Sequence, residues 1–177
     1  MQCSKCKQEI PENELFCSQC GAKTPIFKLA NLLRAVGIVD VILTGIVLIT
    51  GFAAIGKTIE LTGIPYTIWS FITNIFSLYI ATLVIKNAKN YEKARHLKKM
   101  GFAYLVLAIV DKIIAIPISQ KFMEEVMAAA GEFDSIVKGL FGFGTFINII
   151  FTCSIPVLYI IFSSKIEKMY LKSKEGL

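Results

Sequence analysis

The chain has 177 residues, of which 55% are hydrophobic and only 18% charged, with a formal net charge of +6. Soluble domains are usually about 25% charged, and here the apolar residues lie in long runs with the charges between them. Composition therefore argues against an ordinary soluble domain. The basic residues cluster at the edges of the apolar runs, where membrane topology alone explains them. We predict a mostly α-helical protein embedded in a lipid bilayer.

The first 25 residues are polar and hold two Cys-x-x-Cys pairs. Zn²⁺ prefers four tetrahedral ligands, and four cysteines are a common structural set. A segment this short cannot form a hydrophobic core large enough to stabilise it. We therefore predict that residues 1–25 form a domain folded around one structural zinc ion. A disulfide pair, a redox Cys-x-x-Cys and an iron–sulfur site are the alternatives. No signal peptide is visible, so we expect the N-terminus to belong to the mature domain.

The segment CSKCKQEIPENELFCSQCGAKT resembles the short zinc-ribbon family found at the N-termini of many prokaryotic proteins. The resemblance implies a small β-hairpin with cysteine knuckles, and it implies no activity. It also implies four metal ligands: Cys3, Cys6, Cys17 and Cys20. Lys7 replaces the glycine that usually follows the first pair, which is expected to loosen the first knuckle. Gly21 follows the second pair and is able to take a positive φ.

Residues 26–177 are predicted to form a four-helix transmembrane bundle. A hydrocarbon core about 30 Å thick needs about 20 apolar residues in a helix. Four runs are candidates for such spans, at residues 29–55, 66–85, 100–118 and 140–162. The second run is uncharged throughout and the clearest, whereas the third is short and contains adjacent charges.

The segments between the runs have different predicted roles. GKTIELTGIP, with its two glycines and proline, is predicted to be a short loop. Residues 86–99 form a basic connector rich in helix formers, so the flanking helices are expected to extend into it. We interpret the connector as a topology determinant rather than as a binding site for anionic lipid headgroups. Residues 119–139 are amphipathic and are predicted to form an outer surface helix, broken near Gly131, against the bilayer.

The distribution of basic residues predicts the orientation of the bundle. Lys and Arg accumulate in cytoplasmic segments. If the N-terminus is inside, the outer segments hold only Lys57, Lys121 and Lys138 of the 19 basic residues. Both termini are therefore predicted to be cytoplasmic in a multi-pass protein of the cell membrane. A thiol-rich metal site agrees with this, since thiols stay reduced in the cytosol.

Polar residues inside the predicted spans are candidates for a second site. A charge at the centre of a span costs about 2.5–3.5 kcal/mol on insertion scales, so it normally finds a partner. Counting from the inner ends of the runs, Asp40 and Lys112 lie at similar depths, and we predict that they pair. We place four residues in this polar layer: Asp40, Asn74, Asp111 and Lys112. A structural ion pair is favoured over a proton or ion relay.

The sequence contains no motif that indicates catalysis, and we name no catalytic residue. HExxH, a Gly-rich phosphate loop and GxSxG are all absent. Intramembrane aspartyl proteases carry GxGD, whereas GIVD and AIVD lack its second glycine. A non-enzymatic protein is expected, whose ribbon is a structural cap or docks a cytosolic protein. The alternative is a small transporter or channel subunit that uses the intramembrane polar residues. Nucleic-acid binding is disfavoured because the ribbon is nearly neutral.

Overall fold

The computed structural model describes residues 3, 5–10, 14, 16–130 and 134–175. The chain is mostly helical, as the sequence predicts. The helices are α1 (Pro25–Ala53), α2 (Ile55–Thr62), α3 (Ile64–Asn87), a 3-10 turn (Tyr91–Lys93), α4 (Ala94–Ala130) and α5 (Asp134–Glu175). In the described part of the N-terminal module, the expected β-hairpin is represented by one isolated antiparallel bridge, between Phe16 and Lys23.

Among the residues that the structure describes, three helical stretches are long and apolar enough to cross a membrane: Pro25–Ala53, Ile64–Asn87 and Tyr91–Ile118. They overlap the first three predicted runs. Their outward faces are apolar, and Ile49, for example, is 72% exposed. Such a surface is unfavourable in water and suits contact with lipid. The fourth predicted run, 140–162, lies within α5, and its passage through the membrane stays a prediction.

The predicted loop between the first two runs is wrong, because seven of its residues, 56–62, lie in helix α2. Helix α2 is joined to α1 through Ala54 and to α3 through Gly63. Gly63 has a φ of 79°, and its N–H donates to the carbonyl of Ile59. The glycine therefore does end a structural element, but that element is a helical turn.

The prediction of a separate surface helix at 119–139 is also wrong for its first half. Helix α4 runs without interruption from Ala94 through Pro117 to Ala130. Proline in a long apolar helix is tolerated where its neighbours accommodate the missing hydrogen bond. The predicted break near Gly131 lies outside the described residues, and α5 begins at Asp134.

Helices α1, α3, α4 and α5 close into a ring, since α1 packs on α3, α3 on α4, α4 on α5 and α5 on α1. At one end of this ring Lys98 forms an ion pair with Glu167, and Lys89 lies over the ring of Phe27. We call this the connector end, because it holds the start of α1, the basic connector and the last turns of α5. The opposite end, which holds α2, is the loop end.

Candidate functional site

The four cysteines of the N-terminal module converge on one point. Each offers a sulfur, and all four sulfurs lie within 4.8 Å of one another. Two of the separations join the two pairs, with Cys3 Sγ at 3.4 Å from Cys20 Sγ and Cys6 Sγ at 3.6 Å from Cys17 Sγ. All four are free thiols. These separations are far longer than the ~2.05 Å of a disulfide, so the arrangement is that of a metal-binding cluster.

The two Cys-x-x-Cys turns have matching backbone geometry. The N–H of Lys7 donates to the carbonyl of Cys3 at 3.0 Å, and the N–H of Gly21 donates to the carbonyl of Cys17 at 2.8 Å. Lys7 and Gly21 have φ values of 60° and 67°. The positive φ predicted for Gly21 is therefore confirmed, and Lys7 adopts the same conformation at a steric cost that glycine avoids.

Backbone amides prepare the first turn for thiolate. The backbone N–H groups of Cys6 and Lys5 lower the pKa of the Cys3 thiol to about 6, and the N–H of Lys5 lies 3.4 Å from Cys3 Sγ. Hydrogen bonds to the charged form favour that form. Because the thiolate is the metal ligand, the turn presents Cys3 in the state that binds metal.

The cluster fits a tetrahedral metal ion. Zn–S bonds of about 2.3 Å in a tetrahedron separate the sulfurs by roughly 3.8 Å, close to the Cys3–Cys20 and Cys6–Cys17 separations of 3.4 and 3.6 Å. A set of four sulfurs in this geometry suits Zn²⁺ or iron. The residues that would hold the metal are the four cysteines named by the sequence.

The module rests on the first turn of α1. Phe16 stacks on Phe27 with ring centroids 4.9 Å apart, and Lys23 lies 5.3 Å from the same ring. Thr24 is buried and caps α1, since its Oγ1 accepts the N–H of Phe27 at 3.4 Å. Pro25 follows at the start of the helix, where its missing N–H costs nothing. The cysteine cluster is thus joined to the bundle without an intervening linker.

A second site lies inside the bundle around Asp40, which is 1% exposed. Its Oδ2 accepts a hydrogen bond from Tyr159 Oη at 2.8 Å. Its Oδ1 accepts from Thr44 Oγ1 at 3.2 Å and from Tyr104 Oη at 3.4 Å. Ser77 Oγ, which donates to Tyr104 Oη at 2.7 Å, lies 3.4 Å from the same oxygen. We call these five residues the Asp40 cluster. The cluster draws one or more hydroxyl groups from each of α1, α3, α4 and α5.

The predicted pairing of Asp40 with Lys112 is wrong. Lys112 Nζ lies 3.6 Å from Asp111 Oδ2, and among the described ion pairs Asp40 takes no part. Along α4 it is Tyr104 that reaches Asp40, and Lys112 lies eight residues, or about 12 Å, farther along the helix axis. The prediction took the start of each apolar run as the inner end of its helix, which placed Lys112 too close to Asp40. Helix α4 is already helical well before the third run begins.

Three of the four predicted intramembrane residues do meet in one cavity. It has a volume of about 240 Å³, and Asn74, Asp111 and Lys112 line it. Further polar side chains in its wall are Tyr66, Ser70, Thr73, Ser77, Tyr104 and Thr152. Because Ser77 and Tyr104 also contact Asp40, Asp40 lies directly behind this wall.

The sequence reasoning missed the hydroxyl partners of Asp40. Thr44 could have been predicted as a partner, because it lies four residues after Asp40 on the same helix, where side chains are neighbours. The sequence indicates less about Ser77, Tyr104 and Tyr159, because hydroxyl residues are common in membrane helices. In a helix that is apolar all round, the sequence does not show which side chains point into the bundle.

Comparisons with family models, with curated proteins and with solved structures found no significant match to this chain. Fold and site together define a helical protein of membrane type that carries a metal-binding cysteine cluster at the N-terminal end of its first long helix.

Proposed function

We propose that the chain is a multi-pass membrane protein with four spans and both termini in the cytoplasm, whose N-terminal module binds one structural zinc ion and caps the cytoplasmic end of the bundle. The convergence of four thiols on one point carries this proposal. Four thiolates complete one tetrahedral site, and a metal supplies the folding energy that so small a module lacks.

The contacts between module and bundle favour the role of a cap. Phe27 receives Phe16 and Lys23 from the module side and Lys89 from the connector. Phe27, in the first turn of α1, therefore links the module to the connector that follows α3. Loss of the metal is expected to release these contacts and weaken the packing of the two helices at the connector end.

The outer side of the module is available to a cytosolic protein partner. Lys5, Gln8, Glu9, Ser18 and Gln19 are exposed. Docking through these residues is compatible with the cap, since the module residues seen to contact Phe27 are others, Phe16 and Lys23. The mixed charge of this side suits a protein rather than nucleic acid.

Zinc content and thermal unfolding test the cap. Purified chain is expected to hold one zinc ion, and the double variant Cys3→Ser, Cys17→Ser is expected to hold none. Trp69 is the only tryptophan and lies on α3, so its fluorescence reports on the bundle and not on the module. If the module is a cap, chelation lowers the unfolding temperature seen by Trp69.

The control for this experiment is Cys153→Ser, which removes a thiol outside the cluster and leaves zinc content unchanged. Full zinc retention in the double variant would show that the cysteines do not form the site. An unfolding temperature unaffected by chelation would show that the module does not stabilise the bundle. Docking of a cytosolic protein would then be the remaining role for the module.

A second candidate function is that of a small transporter or channel subunit, and the buried Asp40 cluster favours it. Acidic groups at membrane depth are costly and commonly mark ion or proton pathways. Here the carboxylate lies beside a cavity lined by Asn74, Asp111 and Lys112. Ion or solute flux into vesicles that contain the purified chain, abolished by Asp40→Asn, would support this function.

A further inference from the structure

The two halves of the bundle differ in character on either side of Asp40. Toward the connector end, apolar residues from all four long helices pack into one core: Ala30, Leu33, Ile80, Val84, Leu97 and Ile166. The packing there is close, since a Cβ added at Gly37 would lie 2.9 Å from Ile85 Cγ1 and 3.3 Å from the carbonyl oxygen of Ala81. Such packing leaves little room for water.

Toward the loop end, the interior is polar and holds the cavity. Asn74 precedes Ser77 on α3 and so lies nearer to α2, while Asp111 and Lys112 follow Tyr104 on α4 and lie in the same direction. A cavity of about 240 Å³ with this many polar groups in its wall is large and polar enough to hold several water molecules. Water in the cavity can therefore contact Ser77 and Tyr104, whereas the apolar core has no room for it.

We propose that Asp40 is a proton-exchange site that communicates with the loop end of the bundle through the cavity and is sealed from the connector end by the apolar core. The inference deepens the transport proposal, on which it rests for its biological use. With the orientation proposed above, Asp40 exchanges protons with the outside of the cell.

The Asp40 cluster supplies the last step of the path. Ser77 Oγ donates to Tyr104 Oη at 2.7 Å, and Tyr104 Oη donates to Asp40 Oδ1 at 3.4 Å. A hydronium ion in the cavity gives a proton to Ser77 Oγ, the proton already on Ser77 passes to Tyr104 Oη, and the proton already on Tyr104 passes to Asp40 Oδ1. The products are one water molecule, an unchanged serine, an unchanged tyrosine and a neutral carboxylic acid, so charge and atoms balance. The reverse sequence returns the proton to the cavity.

The groups that face Asp40 make both of its protonation states accessible. The ionised form accepts hydrogen bonds from the hydroxyls of Thr44, Tyr104 and Tyr159, which offset part of the cost of a buried charge. In the described part of the chain no cation contacts it, so protonation removes an uncompensated charge. The charged groups that line the cavity are Asp111 and Lys112, which pair with each other, and Cys153 of α5 lies near Tyr104.

Labelling with dicyclohexylcarbodiimide tests the proposal on the unaltered chain. This apolar reagent modifies protonated carboxyl groups within membranes, and mass spectrometry of peptides identifies the residue. The chain is placed in sealed vesicles, and the pH is varied on one side while the other side is buffered. We expect labelling of Asp40 to decrease as pH rises on the loop-end side and to be unaffected by pH on the connector-end side.

An engineered cysteine identifies the sides. Glu60 lies on α2 and is exposed, so Glu60→Cys in a Cys153→Ser background marks the loop end with a membrane-impermeant thiol reagent. Asn74→Cys in the same background is expected to react from that side as well, and Leu33→Cys, in the apolar core, from neither. Asp40→Asn gives the unlabelled reference peptide.

Each outcome decides the matter. Labelling that follows pH on the connector-end side, or on both sides, overturns the proposed seal, and the absence of labelling at Asp40 at every pH overturns the exchange site. If labelling follows the loop-end pH but no flux is found, the exchange site stands and the transport function fails. If Glu60→Cys reacts from the cytoplasmic side, only the orientation is wrong.

Discussion

At the scale of single residues, Asp40 shows what a sequence reveals about a buried charge. A carboxylate in an apolar run must find partners, and this much the sequence predicts. Its partners are hydroxyl groups on four helices, and the choice among many hydroxyl residues depends on how the helices are rotated. Rotation leaves no trace in helices whose lipid-facing and core-facing residues are both apolar.

The hydrogen bond from Tyr159 is the shortest of those that Asp40 accepts, at 2.8 Å. Tyr159→Phe removes this donor from Asp40 Oδ2, so we expect the free energy of unfolding to fall by about 0.5–2 kcal/mol. Denaturation in mixed detergent micelles, followed by Trp69 fluorescence, measures it. Tyr79→Phe is the matched control, because Tyr79 is 56% exposed; an equal loss in both variants would contradict the role assigned to Tyr159.

Lys7 is the second residue whose role the structure makes specific. It takes a φ of 60° in the position that Gly21 occupies in the other turn, and a left-handed conformation costs a residue with a side chain about 1–2 kcal/mol. Lys7→Gly is therefore expected to tighten zinc binding about fivefold, which corresponds to roughly 1 kcal/mol. Competition with a chromophoric chelator measures the affinity.

Gly21→Ala provides the converse test. An added Cβ at Gly21 meets nothing within 4 Å, so any weakening of zinc binding in this variant comes from the positive φ alone. We expect weakening by about the same factor. Weaker binding in Lys7→Gly, rather than tighter, would show that the lysine side chain contributes more to the site than its backbone conformation costs.

At the scale of elements, the sequence predicts the helices better than their ends. The three membrane-capable helices coincide with apolar runs, because a run of about 20 consecutive apolar residues is typical of a membrane-spanning helix. The errors fall where local signals conflict. Two glycines and a proline suggested a loop where α2 forms, and Pro117 sits inside α4 without ending it, since a helix at membrane depth gains from keeping its backbone hydrogen bonds.

The contact between α1 and α3 depends on the absence of a side chain at Gly37. A Cβ there would lie 2.9 Å from Ile85 Cγ1 and 3.3 Å from the carbonyl oxygen of Ala81, so Gly37→Ala is expected to destabilise the bundle by about 1–3 kcal/mol through overpacking. Gly45→Ala is the control on the same helix, because its Cβ would meet nothing within 4 Å. That variant is expected to be neutral or slightly stabilising, owing to the helix propensity of alanine.

Thermal unfolding of the two glycine variants in the same detergent measures the difference. Small residues let membrane helices approach closely, and the comparison separates this effect from the general preference of helices for alanine. Equal stability of Gly37→Ala and Gly45→Ala would mean that the α1–α3 contact relaxes around the added methyl group at no cost.

At the scale of the whole molecule, the C-terminal part of α5 returns to the end of the bundle where α1 begins. Lys98 and Arg95 of α4 both approach Glu167, and Tyr170 donates a hydrogen bond to Glu92 at 3.3 Å. Helix α5 also passes the Asp40 cluster, through Tyr159, and the cavity, through Thr152. It therefore extends along the same part of the bundle as the three membrane-capable helices, which supports the prediction of a fourth span.

Labelling from outside intact cells tests this topology. In a Cys153→Ser background, a membrane-impermeant thiol reagent is expected to reach Glu60→Cys and not Lys93→Cys or Lys168→Cys until the membrane is permeabilised. The physical reason is that Lys93 lies in the basic connector and Lys168 one residue after Glu167, so both belong to the connector end, where basic residues cluster and are retained in the cytoplasm. Reaction of Lys168→Cys from outside, with Lys93→Cys protected, would mean that α5 does not span the membrane. Reaction of both from outside, with Glu60→Cys protected, would reverse the orientation and place the cysteine cluster in an oxidising compartment, where free thiols are unfavourable.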